Sequence, residues 1–89
     1  MNYEVEKLDL SYKNLTKLPD LSLYKNLKNL NCSNNQISTL EGCPNSVINL
    51  DCSYNQLKNL EECPNSLIEL DCSNNQIKIL RDVQIQLLI

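Results

Sequence analysis

The sequence predicts an α/β-type solenoid: short parallel β-strands line a concave face, and mostly extended or 3₁₀ returns run along the convex face. Three observations carry this reading. Five apolar slots recur in four copies along the 89 residues, spaced 22 residues apart once and 20 residues apart twice. Each copy also changes from leucine-spaced residues to strict alternation at the same place. A fixed period of this size marks stacked coils that contact only their neighbours.

The slots read Val5, Leu27, Val47, Leu67; then Leu8, Leu30, Leu50, Leu70; then Leu10, Cys32, Cys52, Cys72. Leu15, Ile37, Leu57, Ile77 and finally Leu18, Leu40, Leu60, Leu80 complete them. They divide a single domain, 1–89, into repeats at about 5–26, 27–46, 47–66 and 67–86, with 87–89 opening an incomplete unit.

Within a copy, the alternation Leu30, Asn31, Cys32 fits a very short strand with Leu and Cys inward and Asn outward. Turn formers follow, Ser33, Asn34 and Asn35 in the second copy. Asn35, Asn55 and Asn75 share one slot, two residues before an apolar residue. A side-chain amide there satisfies backbone groups of a core-facing turn and bonds to the neighbouring coil, so these three residues are expected to form an asparagine ladder. The returns contain Cys-Pro-Asn-Ser, and Pro44 and Pro64 favour an extended or polyproline-like path. The first return is two residues longer, and its spacing of three at Leu18, Leu21, Tyr24 and Leu27 predicts a short 3₁₀ or helical turn.

The pattern L-x-x-L-x-(L/C)-x-x-N-x-(L/I)-x-x-L resembles the leucine-rich repeat over nearly the whole chain. The short period with a Pro-containing return looks like the compact bacterial-effector class. "LDCSYNQL" followed by Pro-Asn-Ser is also similar to leucine-rich repeats encoded by giant DNA viruses. The resemblance implies a non-catalytic module that binds proteins, with Leu8, Leu30, Leu50 and Leu70 as strand leucines. The first copy departs from it, because its ladder slot holds Lys13 while Asn14 sits one place late. The ladder is expected to end or bend there.

Composition narrows the function. There is no Phe, Trp or His, so the core must be built from aliphatic layers. A net charge of -3 argues against a nucleic-acid backbone as partner. No apolar run approaches the roughly 20 residues that cross a bilayer, so no membrane role is expected. "MNYEVEKLDL" lacks a basic region followed by an apolar stretch, and five cysteines is an odd number. The expectation is an intracellular, cytoplasmic protein without a disulfide framework, in the host cytoplasm if the viral resemblance holds.

The cysteines invite a metal reading, but their spacings alternate between 11 and 9 residues. Stacked coils turn that spacing into two lines, not a tetrahedron. Leu10 fills one cysteine slot, and Leu21 and Val83 fill the other, so these slots are used for apolar volume. Without histidine no Cys-His pair can form, and the single glycine, Gly42, cannot make a glycine-rich phosphate loop. No catalytic residue, metal or cofactor is expected.

Between the inward residues lie outward rows. They are Lys7, Asn29, Asn49, Glu69; Asp9, Asn31, Asp51, Asp71; and Ser11, Ser33, Ser53, Ser73. Beyond them tyrosine alternates with asparagine at Tyr12, Asn34, Tyr54 and Asn74. The candidate surface for a protein or peptide of basic character is Asp9, Tyr12, Asn31, Asp51, Ser53, Tyr54, Glu69, Asp71, Ser73 and Asn74. A second reading stays open, in which Asp and Ser only solvate the sheet and the tyrosines only cover turns. The end "VQIQLLI" adds a third expectation. Leu87 falls on the first leucine slot of a unit that forms no strand, and Ile85, Leu87, Leu88 and Ile89 leave an apolar, uncapped end. Such an end suits homo-oligomerisation, or marks a remnant of a longer repeat protein.

Overall fold

The computed structural model describes residues 2–78 and 86–87. Five strands form one parallel sheet in chain order: β1 (Lys7–Asp9), β2 (Asn29–Asn31), β3 (Asn49–Asp51), β4 (Glu69–Asp71) and β5 (Gln86–Leu87). The register sets Leu8, Leu30, Leu50 and Leu70 side by side, and likewise Asp9, Asn31, Asp51 and Asp71. This register follows the repeat slots, whether the step between strands is 22 residues or 20. The solenoid expected from the sequence is the observed architecture.

Leu27, Ile37, Leu40, Leu57, Leu70, Val47, Cys32 and Cys52 are fully buried. Each buried Leu or Ile contributes about 1.5–3 kcal/mol, and the stack supplies that burial coil by coil. Val5, Leu8, Leu10 and Leu15 of the first coil are only partly buried, since among the described residues a coil packs on one side of them only. Tyr3 reinforces this end by setting its ring edge-on to Tyr24 at 5.0 Å. Asn26 adds an amide donation to Glu4 Oε2 at 2.9 Å.

The returns are built from tight turns, and no helix occurs among the described residues. In the first return Tyr24 N–H donates to Leu21 O at 3.0 Å and Leu27 N–H to Tyr24 O at 3.5 Å. Two turns thus follow each other without growing into a helix. Asp20 accepts from the Ser22 N–H, and this local bond competes with helical continuation. The later returns repeat the arrangement, with Cys43 N–H on Leu40 O and Val47 N–H on Pro44 O.

One expectation needs correction. Leu87 does not open a strandless unit, because β5 pairs with β4 and places Leu87 opposite Leu70, on the strand slot. The step from Glu69 to its partner Gln86 is 17 residues, against 20 from Asn49 to Glu69. The last interval carries no Cys-Pro-Asn-Ser segment, so it reaches the next strand in fewer residues. The apolar end formed by Ile85, Leu88 and Ile89 lies outside the described residues.

Candidate functional site

Each of β1 to β4 ends on an aspartate or asparagine whose side chain builds the turn that follows. Asp51 Oδ1 accepts from the Ser53 N–H at 3.1 Å and the Ser53 hydroxyl at 2.7 Å. Asp71 does the same for Ser73 at 3.1 and 2.7 Å, and Asp9 for Ser11 at 2.9 and 2.6 Å. Asn31 serves Ser33 at 3.0 and 2.7 Å without carrying a charge. The turn therefore requires a side-chain carbonyl or carboxylate oxygen at this slot, and the negative charge is surplus to it.

This geometry corrects the serine row. Ser33 and Ser53 are buried, and Ser73 is half-buried, with its hydroxyl spent on Asp71. Strand alternation would point these serines outward, but the strands stop at Asn31, Asp51 and Asp71, and alternation ends with them. Ser53 is a turn residue and does not offer itself to a partner. The pattern Asp-x-Ser or Asn-x-Ser, repeated in all four copies, was the sequence signal for this bond.

The next residue bends the chain sharply. Tyr12, Asn34, Tyr54 and Asn74 all sit in the left-handed region, with φ between 54° and 57°. Asparagine enters this region easily, whereas a bulky side chain meets its own backbone there, at a cost of about 1 kcal/mol. Tyr12 and Tyr54 bear that cost while 77% and 56% exposed. Backbone bonds hold the row in register, from Tyr12 N–H to Ser33 O (3.3 Å), Asn34 N–H to Ser53 O (3.0 Å) and Tyr54 N–H to Ser73 O (3.0 Å). Asn34 and Asn74 are thus more than the turn formers expected from the sequence, because they mark a left-handed backbone that Tyr12 and Tyr54 share.

Behind the turn, Asn55 is buried and links two coils. Its amide donates to Cys32 O, Cys52 O and Ser53 O at 3.0 to 3.1 Å, and its Oδ1 accepts from Ile37 N–H at 2.9 Å. Asn75 repeats this on Cys52 O, Cys72 O, Ser73 O and Leu57 N–H. Asn35 serves the irregular first coil by accepting from both Lys13 N–H and Leu15 N–H, each at 3.0 Å. Asn14 also takes φ 56°, a second left-handed residue that absorbs the irregularity.

The concave face holds a shallow groove of about 480 Å³ along the strand rows, from Lys7 to Asp71. Asn49 donates to Asn29 Oδ1 at 2.6 Å across its floor. Charge is distributed unevenly over it. At the first coil the Ser11 hydroxyl and N–H, with Lys13 nearby, hold the Asp9 carboxyl below its usual range. At the third and fourth coils Asp51, Glu69 and Asp71 gather without a lysine in their strands. Glu69 and Asn74 are exposed, while Asn31, Asp51 and Asp71 are half-buried.

All five cysteines are free thiols. Burial pushes Cys32 up to about 12, aided by the Asp51 charge, and pushes Cys43 to about 12 and Cys63 to about 11. Cys52 and Cys72 are also raised, by burial first. At neutral pH these thiols are protonated and poor nucleophiles. Among the described residues no group of three His, Cys, Asp or Glu side chains could hold a metal ion. Nor is any helix among them long and apolar enough to cross a membrane.

A family model described as Leucine Rich Repeat matches residues 26–49 and 66–86, just over half of the chain. No curated protein sequence matches it.

Proposed function

We propose, from the premise that this chain belongs to the leucine-rich repeat family, that its non-catalytic interaction surface binds a protein or peptide of basic character. The family supports a protein-interaction role in general. The basic partner rests on one observation, the surplus charge of the strand-end row. Asn31 completes its turn while neutral, so the carboxylates of Asp51 and Asp71 are not needed for folding. Placed in register on neighbouring strands they repel each other mildly. A basic ligand would relieve that repulsion, and both aspartates use only Oδ1 in the turn, leaving Oδ2 to accept from it.

The surface in this reading comprises Asp9, Tyr12, Asn31, Asp51, Tyr54, Glu69, Asp71 and Asn74, with Ser53 and Ser73 acting behind it. The 20-residue period and the Pro44 and Pro64 returns support kinship with compact bacterial-effector-type repeats, and five free thiols suit an intracellular setting. The whole of 1–89 then acts as one repeat domain.

The test is a titration with a flexible peptide of three Gly-Gly-Arg repeats, at low and at physiological salt. Asp51→Asn with Asp71→Asn preserves both turns and removes two charges. Affinity should fall several-fold at low salt, with a flatter salt dependence. Equal binding by both proteins would remove the acidic row from the interaction.

A further inference from the structure

Tyr12 and Tyr54 stand at one slot of the turn, two coils apart, with Asn34 between them. Asn34 and Asn74 show that the slot accepts a residue suited to a left-handed backbone. The tyrosines are therefore not explained by the turn, and their exposure shows that they are not explained by the core either. Bulky residues held in an unfavourable backbone region concentrate where a protein meets a ligand.

Their spacing defines what they can meet. Neighbouring strands lie about 4.8 Å apart, so a two-coil step along the sheet is about 10 Å. The coil-to-coil bonds through Ser33 O, Ser53 O and Ser73 O keep that step fixed. A polyproline II helix advances roughly 3.1 Å per residue with three residues per turn, so residues three apart share a face about 9.3 Å apart. An extended β-strand does not match, since residues on one of its faces recur at about 6.8 Å and its residues three apart face opposite ways. Exposed tyrosines are also the side chains on which proline rings pack in known polyproline recognition.

We propose that a proline-rich segment bearing arginine binds as a polyproline II helix along the solenoid axis, one proline packing on Tyr12 and the proline three residues later on Tyr54. This rests on the acidic-surface reading above and specifies the partner. Arginines on an adjacent edge of the same helix reach Asp51 and Asp71, where the negative charge collects. Lys7 and Lys13 leave the first coil without a net attraction for a basic ligand, so the segment is anchored there by its prolines.

The experiment compares a nonapeptide of three Pro-Pro-Arg repeats with the Gly-Gly-Arg nonapeptide of equal charge. Three proteins are used: the wild type, Tyr54→Asn, and a register variant carrying Asn34→Tyr with Tyr54→Asn. The register variant keeps two tyrosines but moves them one coil apart, and both substitutions place residues already found at that slot. The wild type should bind the proline peptide at least about 5-fold more tightly than the glycine peptide, and both variants should lose about 5- to 30-fold, the range of one interface anchor. Equal affinity for the two peptides would overturn the polyproline ligand while leaving the acidic surface intact. A register variant that binds like the wild type would overturn the two-coil match. Absence of binding by either peptide would overturn this proposal and the acidic-surface reading together.

Discussion

Tyr54 and Asn55 are neighbours whose substitution should shift stability in opposite directions. Asn55→Ala removes the donor to three carbonyls and the acceptor for Ile37 N–H, all inside the stack. Leaving such groups unpaired costs about 2–4 kcal/mol, and the urea midpoint should fall accordingly. Tyr54→Asn relieves a bulky residue at φ 54° and should raise stability by about 0.5–1 kcal/mol in the same assay. A loss of stability on Tyr54→Asn would mean that the ring packs usefully on its own protein. The ladder slot was legible in the sequence, because only a side chain with both donor and acceptor recurs before each apolar residue. The left-handed turn was not, because it is a property of the backbone, and tyrosine at half of its positions hides the asparagine that signals it.

At the scale of the element, the unit is a three-residue strand closed by a side-chain turn. Period-two alternation correctly set Asn31, Asp51 and Asp71 outward, yet it failed one step later at Ser33 and Ser53. Alternation holds only while the strand lasts, and these strands are shorter than a sequence window can resolve. The turn bond explains why the strand stops where it does. It also predicts that Asp71→Asn leaves the unfolding free energy within about 0.5 kcal/mol of wild type, as Asn31 already achieves without charge. Asp71→Ala strips the acceptor from the Ser73 N–H and hydroxyl and should cost about 1–2 kcal/mol. Urea titrations of the two variants separate the oxygen's contribution from that of the charge. Equal destabilisation by both would assign the turn to the carboxylate itself.

Across the whole molecule the repeat lines Cys32, Cys52 and Cys72 into a column, with Cys43 and Cys63 in a second row beside it, and these buried thiols make the fold sensitive to alkali. The sequence showed that the slot is apolar, since Leu10 shares it, but the proton linkage follows only from the depth of burial. An unperturbed thiol ionises near 9.0, whereas Cys32 and Cys43 are pushed up to about 12 and Cys63 to about 11. Below pH 9 folded and unfolded chains both hold these protons, and the thiols leave stability unchanged. Between pH 9 and about 11–12 the unfolded chain releases protons that the folded chain keeps, so stability falls as pH rises. Each such thiol contributes a slope of about 1.4 kcal/mol per pH unit. Several acting together should bring a small solenoid to cooperative unfolding within that window. Urea midpoints measured at pH 7, 8, 9 and 10 should stay nearly level to pH 8 and then drop. Cys52→Ala lowers stability at pH 7 by leaving a small void, but it also removes one deeply buried thiol from the column. Its decline above pH 9 should therefore be shallower than that of the wild type. A decline of unchanged steepness would place the alkaline sensitivity elsewhere than in the cysteine column.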